Sequence, residues 1–72
     1  MEDLLIDQIL FLKKYYIVAS LEECTKEVLR QEQGRQAMHG ACSMFNITPN
    51  DYVTYLTNLA QQRLNKNNSI KE

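Results

Sequence analysis

A chain of 72 residues holds at most one domain, and at that size folding buries only about 60% of the surface an unfolded chain exposes, so self-association is an expected source of stability. The formal net charge of -1, with basic residues scattered along the chain, excludes a bulk attraction to nucleic acid or anionic lipid. A hydrophobic content of 44% with two Gly and one Pro excludes disorder over most of the length.

The first predicted helix, residues 3–18, contains the stretch LLIDQILFLKKYYIV, which is apolar on nearly every side. At about 100° per residue, Leu5, Ile9, Leu12 and Tyr16 share one stripe, the usual core face of an amphipathic helix. Leu4, Phe11 and Tyr15 form a second stripe, and Ile6, Leu10 and Ile17 a third. A narrow polar edge of Asp3, Asp7 and Lys14 remains. One neighbouring helix cannot cover three stripes. Either several helices of one bundle surround this one, or a second copy or another protein takes the spare stripe. Tyr15, Tyr16, Ile17 and Val18 favour extended backbone, so the last turn is expected to fray. The apolar run carries Asp7, Lys13 and Lys14 and is too short to span a bilayer. The acidic start MEDLLIDQ lacks the basic flank of a secretory signal, which predicts a cytoplasmic protein.

Ser20 opens the second predicted helix, residues 21–33, with Glu23 completing an S-x-x-E capping box. Leu21, Cys24, Val28 and Leu29 make its inner stripe. Glu22 with Lys26 and Glu27 with Arg30 are placed as surface ion pairs. The run from Gln31 to Gln36 has no apolar residue, and Gly34 marks the expected break. The third predicted helix, residues 35–45, carries Ala37, Met38, Ala41, Cys42 and Phe45 on one side, and Gly40 with Ala41 is expected to admit another helix closely. Asn46 suits the left-handed conformation that follows a helix. Thr48, Pro49 and Asp51 form the clearest helix start in the chain. The fourth predicted helix, residues 49–65, runs through Val53, Leu56, Leu59, Ala60 and Leu64. The expectation is therefore an all-α bundle of three to four helices in a single domain, residues 1–65, with a frayed polar tail at 66–72.

The segment ACSMFNITPNDYVTYL places a small residue, a tight turn and a capped helix in order. It resembles a helix-turn-helix unit over about a quarter of the chain, with Cys42 at the small-residue position, Asn46 at the turn, and Ile47 and Tyr52 as core contacts. The resemblance implies a DNA-binding transcriptional regulator reading bases through Thr48, Asn50 and Thr54, with the whole unit spanning 37–56. No Arg or Lys occurs between Thr48 and Gln62 to hold phosphates, so this stands as the alternative.

His39 and Cys42 lie three apart on one predicted helix, yet no third orienting residue or oxyanion-forming glycine loop accompanies them. Cys24, His39 and Cys42 fall one ligand short of a structural zinc site. Two cysteines are too few for a disulfide framework. The triplets Asn46-Ile47-Thr48 and Asn67-Asn68-Ser69 match a glycosylation pattern without a secretory context. No catalytic residue, cofactor, metal or small-molecule substrate is therefore expected. The tyrosines combine apolar area with a hydrogen-bonding tip, so Leu4, Phe11, Tyr15, Tyr52 and Tyr55 are the expected partner-binding residues. The function expected from these features is a small regulatory or adaptor protein that works through protein contacts, as a homodimer or with another protein.

Overall fold

The computed structural model describes residues 2–70, with side chains as far as residue 66. Among the described residues it is an all-α bundle of four helices: α1 (Glu2–Tyr15), α2 (Leu21–Arg30), α3 (Glu32–Phe45) and α4 (Pro49–Ile70). Helices α2 and α4 form the centre. Helix α1 packs across both from one side and α3 across both from the other. The most apolar helix of the chain is therefore peripheral, covered by two neighbours and not surrounded.

The starts of α2 and α4 follow from their first residues. Ser20 Oγ accepts from Glu23 N at 3.1 Å while Glu23 Oε1 accepts from Ser20 N at 2.8 Å. Thr48 and Asp51 reproduce this exchange at 3.1 and 3.0 Å. Each box satisfies two donors that a helix end would otherwise leave open. The Ser20 hydrogen bonds hold the Glu23 carboxyl below its ordinary range. The capping of α2 is thus strongest above the carboxylate range and weakens as acid protonates Glu23. Asn46 ends α3 at φ 54°, ψ 50°, the left-handed geometry its short polar side chain tolerates.

Other boundaries differ from expectation for identifiable reasons. Helix α1 stops at Tyr15 instead of residue 18 because Lys13 Nζ donates to the carbonyls of Ile17 at 2.8 Å and Ala19 at 2.6 Å. A cation satisfying carbonyls past the last turn folds the chain back into a tight loop, closed by Ala19 N donating to Tyr16 O at 3.0 Å. Helix α2 ends at Arg30 and α3 begins at Glu32, so the single extended residue Gln31 joins them. Its N–H donates to Val28 O at 3.2 Å, and its carbonyl accepts from Arg35 N at 2.8 Å. Gly34 is consequently not a break. It lies buried inside α3 where that helix doubles back on α2. The expected close approach at Gly40 is also corrected: a Cβ there meets nothing within 4 Å. Helix α4 continues past residue 65 to Ile70, and residues 71 and 72 of the expected tail lie outside the described residues.

Leu5, Ile6 and Ile9 of α1, Cys24, Val28 and Leu29 of α2, and Tyr52, Val53, Leu56 and Ala60 of α4 form the core. Burial of each large aliphatic side chain contributes about 1.5–3 kcal/mol. Helix α3 is a lid, offering half-buried Ala37, Met38, Ala41 and Cys42. Phe45, expected on that stripe, is exposed beyond it. Inside the core Thr57 Oγ1 donates to Thr25 Oγ1 at 2.9 Å, and Thr25 donates to Leu21 O at 3.0 Å. This satisfies a fully buried hydroxyl and ties α2 to α4. At the surface Arg63 reaches Asp7 at 2.9 Å and Asp3 at 3.3 Å, linking α4 to α1. The Glu22–Lys26 and Glu27–Arg30 pairs form at 3.3 and 3.8 Å, each adding roughly a few tenths of a kcal/mol because both partners are exposed.

Candidate interaction surface

Four exposed apolar side chains follow one another from the end of α1: Tyr15, Tyr16, Ile17 and Val18. The Lys13 contacts fix this loop, so the residues are held out by the backbone. The stripe of Leu4, Phe11 and Tyr15 leads up to them along the side of α1 turned away from the core. These three are 48%, 58% and 70% exposed, whereas Leu5 and Ile9 are fully buried. The Phe11 and Tyr15 rings meet edge to face with centroids 4.9 Å apart, a pairing that presents one aromatic surface. Of the three stripes read from the sequence, the first is buried at Leu5 and Ile9, half-buried at Leu12 and exposed at Tyr16. The third is covered at Ile6 and Leu10 but not at Ile17. The second is exposed at all three positions.

A second apolar region lies where the N-termini of α1 and α4 meet the end of α3. Ala41, Phe45, Ile47, Tyr52 and Tyr55 line a groove of about 630 Å³ with Glu2 and Asp51 at its rim. The structure separates the two tyrosines expected here. Tyr55 stands at the rim and donates to Glu2 Oε1 at 3.0 Å. Tyr52 is 2% exposed, its ring 6.0 Å from that of Tyr55. As an expected partner-binding residue Tyr52 is corrected to a core residue, since α3 closes over it. Burial raises the Tyr52 hydroxyl above the ordinary tyrosine range, and the Glu2 hydrogen bond raises Tyr55. The stability these groups contribute is complete below the unfolded tyrosine value and is lost as pH rises through the folded ones. Alkaline titration followed by tyrosine absorbance and circular dichroism is expected to show two late-ionising tyrosines, with helix content falling as they ionise. Tyr55→Phe is expected to leave one.

Thr48, Asn50 and Thr54 are exposed at the start of α4, on a turn with the tightness a helix-turn-helix requires. Thr48 is occupied, since its hydroxyl and N–H both serve the cap. The charged groups at this end, Glu2 and Asp51, are of the sign that repels phosphate. His39 is exposed, Cys24 is buried and Cys42 half-buried, and both thiols are free. Among the described residues no group of three or more His, Cys, Asp or Glu could hold a metal ion. None of the described helices is long and apolar enough to cross a membrane.

No protein-family model, curated protein or solved structure matches the chain. Its functional reading rests on the surface itself. Two contributors to that surface escaped the sequence: Lys13, whose carbonyl contacts hold the loop, and Met44, exposed beside Phe45. A lysine in the last turn of a helix was the available signal for the first.

Proposed function

We propose that this protein is a small non-enzymatic regulator or adaptor acting through protein contacts in the cytoplasm, and that it self-associates through the outer face of α1. The observation that carries the reading is the exposed stripe of Leu4, Phe11 and Tyr15 on a helix that buries Leu5, Ile6 and Ile9 in the core. An aromatic-rich stripe continuous with an exposed apolar loop is the composition of an interface centre. A chain this short also gains stability from burying it against a second copy. Sedimentation equilibrium is expected to give a mass above the 8.4 kDa of one chain, rising with concentration. A strict monomer at high concentration, with no protein retained in a pull-down, overturns the proposal.

The tight, doubly capped turn between α3 and α4 favours the alternative of a DNA-reading unit. That reading expects binding to duplex DNA at low salt that is lost on changing Asn50 or Thr54. Absence of binding at low salt removes it.

A further inference from the structure

Taking the self-association reading as its basis, we infer that the occupant of the bare α1 stripe is a second copy of the chain lying antiparallel, with Lys14 of each copy seated between Asp3 and Asp7 of the other. Leu4, Phe11 and Tyr15 fall within an arc of about 40° on α1, and Asp3, Asp7 and Lys14 fall within a similar arc beside it at about 100° per residue. The apolar stripe thus has one charged flank, acidic toward the N-terminus and basic toward the C-terminus.

Two-fold symmetry perpendicular to a pair of antiparallel helices sets like flanks against each other. Symmetry along a parallel pair sets the charged flank against the opposite one, where Gln8 lies. Only the antiparallel arrangement lets the charges of the two copies meet. The registers agree as well. When Leu4 of one copy stands level with Tyr15 of the other, Lys14 comes level with residue 5, about 3 Å along the axis from both Asp3 and Asp7. Phe11 of each copy then flanks the two-fold axis.

The groups facing this flank within the chain fit the same picture. Arg63 already bridges Asp3 and Asp7 at 3.3 and 2.9 Å, yet the two carboxylates remain 89% and 67% exposed. Glu2 and Lys66 line the same depression as Asp3 and Arg63, so three carboxylates face two cations here and a negative charge remains for a further cation. Lys14 is exposed and forms no ion pair among the described residues.

The test is a charge swap read by sedimentation equilibrium, with circular dichroism to verify folding. Lys14→Glu alone and Asp7→Lys alone each place like charges across both halves of the dimer, and each is expected to weaken self-association about tenfold. In an equimolar mixture of the two variants, one half of the mixed dimer sets the new glutamate against the new lysine. The other half keeps the native pairing of Asp7 with Lys14, so wild-type affinity is expected to return. Should loss of the shorter Arg63 contact unfold Asp7→Lys, Asp3→Lys, which keeps the 2.9 Å pairing of Arg63 with Asp7, takes its place in the same experiment. If the wild-type chain associates but the single variants match it, or the mixture does not recover, the antiparallel register is wrong while self-association stands. If the wild-type chain is monomeric at every concentration, the self-association reading fails and this inference fails with it.

Discussion

Gly34→Ala is expected to destabilise the protein by about 3 kcal/mol, at the upper end of what overpacking costs. A methyl group there would lie 2.9 Å from Leu29 Cα and closer still to the Val28 carbonyl oxygen. Both obstacles are backbone atoms of α2, so no side-chain rotation relieves the clash. The helices must separate, and they are joined by Gln31 alone. Gly40→Ala is the matched control. It sits inside α3 with open space where a Cβ would lie, so it is expected to stabilise by about 0.5–1 kcal/mol through helix propensity and a less flexible unfolded chain. Urea denaturation of both variants reads this difference, and equal effects would show that the α2–α3 corner is looser than described. In a domain of this size a loss of that magnitude is a large share of the total stability.

Phe11→Glu is expected to weaken self-association about a hundredfold or more, because each two-fold contact loses an apolar anchor twice and gains two like charges near the axis. The fold of the single chain is expected to survive. Phe11 is more than half exposed, and its ring pairs with Tyr15, outside the core. Its replacement should therefore shift the monomer's unfolding free energy by no more than about 1 kcal/mol. Analytical ultracentrifugation with circular dichroism separates the outcomes: a folded, lighter species is expected. An unfolded chain would mean that Phe11 is covered within its own bundle.

The starts of α2 and α4 were legible in the sequence because each depends on residues within four positions. Ser20 with Glu23, and Thr48 with Pro49 and Asp51, act through local hydrogen bonds that need no tertiary context. Asn46 belongs to the same class. The α2–α3 corner was not legible. The polar run around Gly34 gives no periodicity, and a glycine that ends a helix looks like one that admits a neighbour until the neighbour is placed. Long-range ties escaped for the same reason. Nothing in the spacing of Thr25 and Thr57, or of Arg63 and Asp7, foretells that they meet.

The surface shows the same division. Periodicity resolved α1 into three stripes and singled out Leu4, Phe11 and Tyr15 as the expected partner-binding residues; these three stay exposed because α2 and α4 pack on the side of Leu5, Ile6 and Ile9. Tyr52 and Tyr55 are neighbours on one helical face, and only the seating of α3 buries the first and leaves the second at the rim.

The central claim is that the outer stripe of α1, bare in one chain, is covered in solution by another. A concentration series of two-dimensional NMR spectra tests it at the residues concerned. The Leu4 methyl signals and the Phe11 and Tyr15 ring signals are expected to shift progressively from dilute to concentrated protein while those of Leu5 and Ile9 stay fixed. Stripe signals that hold their positions over the whole series would contradict it.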